Sequence, residues 1–484
     1  MIDTTALKTS IIDLAVSGKI SEHFEVQDSV SEIVSELPEL SIKRKKLLEQ
    51  TFEYGRQNAI PSHWKWIRLG EITSYGDTPK KVFFDDVSGD TWILDLEDIK
   101  AGGELIVKTR VHGKKFVGDK TVFRKGQVLY SKLRPYLKKV FVADEDGIST
   151  PELISFDTYG GVIPQYIVFC LLSSFTDRAI DKRSYGIKMP RIDAGFMVNL
   201  PIPLPPISEQ KYIVDHVQTA FSQIDTIDNL QAQYINNQAV LKEKLIDAAI
   251  QGKLTEQLPE DGTAEGLLSE ISRKKKIIDS SGVLKGRKKK KIKPIDEEVP
   301  FPIPQNWQWV RLDSVAEIFG RIGFRGYTKN DIVKKGEGAI SLSPSNITKD
   351  GKMVFDSCTY ISWDKYEESP EIKVEEGDII LVKTGSSYGK CAVANKIPEK
   401  ATINPQLAIL KYVMCNHHYL NAILNSELAH KQYKEFVIGA ATPTFSQEDL
   451  ANFLLPLPPL AEQKRIVTKL DMLLKLVEME NHND

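Results

Sequence analysis

A proline lead that runs straight into a helix start occurs twice in this chain, 253 positions apart. Residues 199–217 read NLPIPLPPISEQKYIVDHV and residues 453–470 read FLLPLPPLAEQKRIVTKL. Pro203, Leu204, Pro205, Pro206, Glu209, Gln210, Lys211, Ile213 and Val214 return as Pro456, Leu457, Pro458, Pro459, Glu462, Gln463, Lys464, Ile466 and Val467, which marks an internal duplication. Successive prolines fix φ and push each preceding residue out of the helical region, so the lead is stiff and extended, and a helix must begin just after it. Ser208 is placed to cap that helix, with Glu209 in its first turn where the helix dipole favours negative charge. Ala461 stands where the second copy would need its cap, so that start is expected to fray more.

Two further repeats sit at neighbouring offsets. Ile60, Pro61, Trp64, Trp66, Arg68 and Leu69 return as Ile303, Pro304, Trp307, Trp309, Arg311 and Leu312; Leu7, Lys8, Ile12, Asp13, Ala15, Gly18 and Lys19 return as Leu241, Lys242, Ile246, Asp247, Ala249, Gly252 and Lys253. The chain is therefore two tandem units. Shifted by these offsets, the two chain ends together tile one copy of the central segment around residues 231–235. The termini are expected to meet there and close a ring with approximate two-fold symmetry.

The central segment, 208–250, carries Ile213, Val217, Phe221, Ile224, Ile227, Tyr234, Leu241 and Leu245 at steps close to a 3.5 period, a coiled-coil seam. At 1.5 Å per residue it spans roughly 65 Å and needs a partner along its length. Ile466, Leu470, Leu473 and Val477 near one end of the chain, and Leu7, Ile11 and Leu14 near the other, supply one, antiparallel. A core helix of a globular domain is the plainer alternative.

Each tryptophan motif, IPSHWKWIRLGEI and IPQNWQWVRLDSV, alternates as an opening strand does. From there to the proline leads both units mix short β-rich runs with helical ones such as Pro164–Ser174 and His418–Lys431. The fold class is mixed α/β: two α/β domains separated by long antiparallel coiled-coil helices. The expected divisions are 1–59, 60–205, 206–302, 303–456 and 457–484. Segment 206–302 includes a polar connector with lysine-rich runs at 273–276 and 285–293, expected to be solvated.

The formal charge of −2 over 484 residues confines any contact with DNA to charge segregated onto faces. No apolar run approaches the ~20 residues of a membrane span, and the first twenty residues lack a signal-peptide layout, so the chain reads as cytoplasmic with no membrane partner. Cys170, Cys358, Cys391 and Cys415 form no CxxC pair. Cys415 with His417 and His418 is the nearest approach to a metal cluster and reads better as a loop.

No catalytic constellation emerges. Gly385–Cys391, GSSYGKC, imitates a phosphate-cradling loop but is one residue short and ends in cysteine instead of Ser or Thr. Phe319–Gly323 lacks a following strand–glycine–helix unit, no Asn-Pro-Pro-Tyr type tetrapeptide occurs, and Glu371-Ile-Lys373 has no Pro-Asp partner upstream. A binding protein is favoured over an enzyme.

A candidate DNA face does emerge, with an ordinary solvated basic face as the alternative. Between Lys108 and Lys139 stand eleven Lys and Arg against one acid, Asp119, among them Lys114, Lys115, Lys132, Arg134, Lys138 and Lys139, interleaved with Tyr130 and Tyr136. Lys188 and Arg191 follow in the same domain. Such a stripe can neutralise phosphates, and Arg or Lys can read guanine. The second unit aligns Lys383, Ser386, Ser387, Tyr388 and Lys390 with it, with Arg321, Arg325 and Thr328 earlier and Thr442 and Thr444 later. Scaffolds that match at their boundaries and differ in these loops suit the reading of two different sequences. A coiled-coil scaffold that binds protein alone is the rival reading.

The PLPPxxEQ lead into a long helix, its second copy, the IPxxWxWxRL entry to each domain, YSKLRPYLKKV, and RIGFRGYT with LSPSNI closely resemble the specificity subunit of type I restriction-modification enzymes. The resemblance covers nearly the whole chain. It implies two target recognition domains, each reading one half of a split sequence in double-stranded DNA. It implies helices that space them and dock two methyltransferase subunits, with Ile213, Val217, Phe221, Ile224, Leu241, Leu245, Ile466, Leu470, Leu7 and Ile11 as the docking and coiled-coil residues. It also implies two ATP-dependent restriction subunits, and no cofactor on this chain: S-adenosylmethionine, ATP and Mg belong on the partners.

Overall fold

The computed structural model describes residues 1–54, 59–113, 116–181, 190–280, 290–295, 299–321, 326–439 and 442–479. It divides into two compact units, Met1–Ala232 and Gln233–Asp484. The fold is mixed α/β, and no helix among the described residues is long and apolar enough to cross a membrane.

The first unit contains α1 (Thr4–Val16), α2 (Ile42–Leu48), β1 (Lys65–Arg68), β2 (Trp92–Leu94), β3 (Lys120–Phe123), β4 (Val128–Ser131), β5 (Val140–Val142), β6 (Gly147–Ser149), β7 (Leu153–Phe156), α3 (Pro164–Leu172), α4 (Ser174–Asp181), β8 (Pro201–Leu204) and the start of α5 (Ile207–Ile250). One sheet has the order Lys81–Val82, β3, β6, β2, Thr109–Arg110, with β2 and β6 parallel; a second is the antiparallel set β5-β4-β7. The proline lead is a strand in its own right, because β8 pairs antiparallel with β1, Trp66 opposite Pro203. The two motifs that repeat are thus strand partners.

The pairing is locked from one side by a buried carboxylate. Glu209, 1% exposed, accepts from the Trp64 indole at 2.9 Å, from His63 Nε2 at 2.8 Å and from the Ser21 hydroxyl at 2.6 Å. Gln210 accepts the Ile163 amide and donates to the Pro205 carbonyl, both at 2.9 Å, and the Tyr166 hydroxyl donates to the Pro203 carbonyl at 2.6 Å. A buried ion without partners is very costly, so the Glu-Gln pair after the prolines is a structural lock.

The second unit contains the end of α5, then α6 (Ala264–Ser280), β9 (Gln308–Arg311), β10 (Glu317–Gly320), β11 (Gly338–Leu342), β12 (Thr359–Ser362), β13 (Ile379–Val382), β14 (Cys391–Val393), β15 (Ala401–Ile403), β16 (Leu407–Lys411), α7 (His417–Leu424), α8 (Glu427–Phe436), β17 (Leu454–Leu457) and α9 (Leu460–Met479). Its sheets run β10-β16-β13-β14 and Ile332–Val333, β12, β11, β15, the last pair parallel. β9 pairs with β17, and the lock recurs: Glu462, fully buried, accepts from the Trp307 indole at 2.8 Å and from Gln257 at 3.0 Å. Gln463 accepts the Asn416 amide at 2.7 Å, and the Tyr419 hydroxyl reaches the Pro456 carbonyl at 3.1 Å.

Several expectations need correction. Ser208 lies inside α5, whose first bond runs from the Gln210 amide to the Pro206 carbonyl at 2.9 Å; the Ser208 amide and hydroxyl instead donate to Asp28 from an earlier loop. The stretch His418–Lys431 is two helices, because Ser426 caps α8 by accepting from the Ala429 amide. The connector run at 273–276 lies on helix α6, with Arg273, Lys274 and Lys276 exposed as expected and Lys275 paired with Glu317 at 3.4 Å.

The seam residues on α1 are also displaced. α1 lies antiparallel to the first part of α5, with Ile2 bonded to Gln231, Thr4 to Asp228 and Lys8 to Asp225. It buries Ile12, Ala15 and Val16, whereas Leu7 and Leu14 stay 37% and 42% exposed and Ile11 packs only at the core's edge. α1 packs on α3, the Ser174 amide at the start of α4 donates to Asp13 at 2.9 Å, and the buried face of α1 joins the core of the unit. Ile213 and Val217 are fully buried in their own unit's core, Ile466 and Leu470 are buried in theirs, and Ile224 is buried, so these residues are closed to a docked subunit, while burial suits a place on a helix seam. Phe221 and Leu245 are half-buried, while Leu241 is 45% exposed.

Candidate nucleic-acid interface

In the first unit, β4 delivers the chain into the segment Lys132–Lys139, the core of the basic stripe. The Ser131 amide donates to the Lys139 carbonyl at 3.0 Å and closes the loop. Inside it the Leu137 amide bonds the Arg134 carbonyl at 2.9 Å. The loop is pinned from outside by three bonds: Lys132 N to Glu152 O at 3.1 Å, Ile192 N to Lys132 O at 3.1 Å, and Arg134 N to Pro190 O at 2.7 Å.

In the second unit, β13 delivers the chain into Lys383–Lys390 and the same bonds are made. Val382 N reaches Lys390 O at 2.8 Å, Tyr388 N reaches Gly385 O at 3.1 Å, Lys383 N reaches Gln406 O at 2.9 Å, Phe445 N reaches Lys383 O at 3.2 Å, and Gly385 N reaches Pro443 O at 2.9 Å. Lys132 thus corresponds to Lys383, Arg134 to Gly385, Lys139 to Lys390, Glu152 to Gln406 and Pro190 to Pro443. The stretch that imitates a phosphate loop joins two antiparallel strands, β13 and β14, with no helix following it.

One backbone therefore carries two different sets of side chains. Both loops contain two residues at positive φ. In the second these are Gly385 and Gly389, at +105° and +87°; in the first they are Arg134 and Lys138, at +48° and +49°. For a residue with a Cβ, left-handed backbone costs about 1–2 kcal/mol.

The side chains of the first loop divide into spent and free. Lys138 pairs with Asp177 and donates to the Leu172 carbonyl at 3.3 Å; burial nevertheless raises the Asp177 carboxyl above the usual range. Lys139 donates to the Leu96 carbonyl at 2.6 Å, and burial, then the nearby Arg134 guanidinium, depresses its ammonium. Arg191 grips Glu152 at 3.1 Å, with Lys132 at 3.9 Å from the same carboxylate. Arg134 is exposed and makes no ion pair or side-chain hydrogen bond among the described residues, and Tyr136 is 55% exposed. Lys114, Lys115 and Lys188 lie outside the described residues, as does Arg325 in the second unit.

In the second loop Lys383 is half-buried, and burial alone pushes its ammonium below the usual lysine range. Ser386 is exposed, Ser387 and Lys390 are half-buried, and Tyr388 packs edge-on against Phe445. Thr444 is joined to Thr384 through backbone pairing and hydroxyls 2.7 Å apart, which carries the exposed Thr442 to the same place. Two earlier candidates have structural roles. Arg321 is 6% exposed and donates to the Ile403 carbonyl at 3.0 Å and to Thr402, so its charge is enclosed in the domain. Thr328 caps a short turn, accepting from the Asn330 amide at 3.3 Å and donating to Asp331 at 3.0 Å.

Gln406, which the sequence reading passed over, is exposed and lies against Gly385, its amide nitrogen 3.7 Å from where a Cβ would stand there. The repeat holds the signal: Glu152 and Gln406, like Pro190 and Pro443, stand about 253 residues apart. Cys415 and His417 are accounted for locally. Burial pushes the Cys415 thiol up to about 12, and a His417 ring nitrogen is bonded to the Gly377 carbonyl.

The family model for the type I restriction modification DNA specificity domain matches this chain twice, over residues 61–234 and 304–484. The MjaVIII specificity subunit of Methanocaldococcus jannaschii is 21% identical over 439 residues, covering 89% of this chain and 91% of that one. The EcoEI specificity subunit of Escherichia coli is 23% identical over 557 aligned positions, covering 98% and 89%. A solved chain from work on complex assembly and conformational transition of the type I R-M system superposes with a TM-score of 0.61 at 19% identity, covering 87% of this chain and 93% of that one. With its duplicated frame, the chain belongs to the family of type I restriction-modification DNA specificity subunits, the components through which such systems recognise their DNA target.

Proposed function

We propose that this chain reads a bipartite, asymmetric sequence in double-stranded DNA, one α/β domain per half-site, and docks two adenine-N6 methyltransferase subunits on its helices. The observation that carries the reading is the pair of loops Lys132–Lys139 and Lys383–Lys390: the same main-chain bonds on the same kind of frame, bearing unlike side chains. A protein that read one sequence twice would have no use for the difference.

The chain itself is non-catalytic in this reading. S-adenosylmethionine, ATP and Mg are held by the methyltransferase and by two ATP-dependent restriction subunits. The duplication of the sequence supports two identical partners on one chain in this reading. Apolar side chains left exposed on the helices support docking: Leu7, Leu14 and Leu230 in the first unit, and Leu241, Met472 and Leu476 in the second. Half-sites lie about one turn of DNA apart.

Single-molecule methylation mapping in cells that carry this chain with its cognate methyltransferase tests the reading. It predicts methyladenine at one split sequence with an unread gap. Random or absent methylation, together with no salt-dependent affinity of the purified chain for duplex DNA, would leave the protein-only scaffold instead.

A further inference from the structure

Arg134 occupies a position its backbone disfavours twice over. It sits at φ +48°, ψ +59°, where a Cβ is poorly tolerated, and it precedes Pro135, whose ring restricts the residue before it to extended conformations. The second unit shows that the loop does not need it. Gly385 makes the same bonds, its amide to Pro443 and its carbonyl to the Tyr388 amide, with no Cβ to strain.

The neighbouring strained residue gives the contrast. Lys138 also stands where the other loop has glycine, but its ammonium is used inside the domain, on Asp177 and the Leu172 carbonyl. The Arg134 guanidinium has no such use among the described residues: it is exposed, without an ion pair or side-chain bond, and it acts on Lys139 as one cation on another. Strain without internal return at an exposed residue points to a ligand outside the chain.

The kind of contact follows from what the strain fixes. A phosphate grip needs positive charge within reach and tolerates a mobile stem, so a relaxed backbone would serve. A fork on the O6 and N7 of guanine needs direction as well as charge. The left-handed turn, anchored by the Arg134 amide on Pro190 at 2.7 Å and followed by rigid Pro135, sets the direction of the Cα–Cβ bond.

Resting on the reading above, we infer that Arg134 is a specificity-determining residue that reads one guanine of the first half-site. Gly385 leaves the second loop without an equivalent fork. The half-sites therefore differ at this register: one base pair of the first is read by a guanidinium, and its counterpart in the second is not.

The test is Arg134→Gly in the full chain, assayed with its methyltransferase. The variant takes the residue the second loop already uses, so its thermal midpoint is expected to be unchanged or raised. Discrimination at one base pair of the first half-site should fall roughly ten- to hundredfold, with the second half-site unaltered. A lowered midpoint would make Arg134 a structural residue. Equal loss on all sequences would make it a phosphate contact, and unchanged discrimination would remove it from the interface; each overturns the inference. If wild type methylates no split sequence, the functional reading itself falls. If wild type does and the variant is unaffected, only the role of Arg134 falls.

Discussion

Glu209 accepts the indole N–H of Trp64 at 2.9 Å, and Glu462 accepts that of Trp307 at 2.8 Å. In each unit this bond ties the first turn of a long helix to the strand pair formed by the tryptophan motif and the proline lead. Trp64→Phe leaves the buried carboxylate one donor short and should cost about 1–3 kcal/mol. Amide hydrogen exchange should quicken in β1 and β8 and stay as in wild type in β9 and β17. Unchanged protection throughout would show that the bond holds nothing.

How much of this was legible in the sequence depends on whether a pattern was local or paired. The proline lead, its following helix and the opening strand follow from φ restriction and alternation. That Trp64 and Glu209 meet was encoded only in their joint recurrence as Trp307 and Glu462, which reveals a duplication without naming its contacts. Leu7 and Leu14 were misplaced because α1 packs on α3 as well as lying along α5, and periodicity cannot say which neighbour wins. Arg321 looked like a DNA contact because a lone arginine carries no sign of its burial. Composition marked the basic stripe but could not distinguish Lys138, engaged by Asp177, from Arg134, which is free among the described residues.

Gly252 is held at φ +72°, where an added Cβ would lie 2.5 Å from the Pro304 ring. Gly252→Ala combines left-handed strain with that collision and should destabilise the second unit by at least about 1 kcal/mol. Gly336, at φ +91° with nothing within 4 Å of its Cβ position, gives the cost of positive φ without a collision. In chemical denaturation Gly336→Ala should cost clearly less than Gly252→Ala. Equal costs would mean that the ring contact relaxes freely.

Lys383 is depressed by burial, and no carboxylate pairs with it among the described residues. The sign follows: below its folded pKa the lysine is charged in both states, and burying that charge weakens the fold. Above the unfolded pKa it is neutral in both and the cost is gone. Lys383→Met should therefore be more stable than wild type at neutral pH, with the advantage shrinking as pH rises through the lysine range. On duplex DNA the same variant should lose affinity by about 1–3 kcal/mol if the ammonium contacts a base in the second half-site. A stability gain that persists unchanged to high pH would assign it to packing instead.

Helix α5 runs unbroken from Ile207 to Ile250 and contributes residues to both units, so on the proposed reading its length would set the distance between the half-sites. Its stretch from Tyr234 to Asn237 is exposed at every side chain, so extra residues there displace no core. Inserting four residues adds about one turn, roughly 6 Å along the axis, comparable to two base-pair steps of DNA. Methylation mapping should then show both half-sites retained and the unread gap changed in length. An unchanged gap with activity intact would mean that something other than α5 measures the distance.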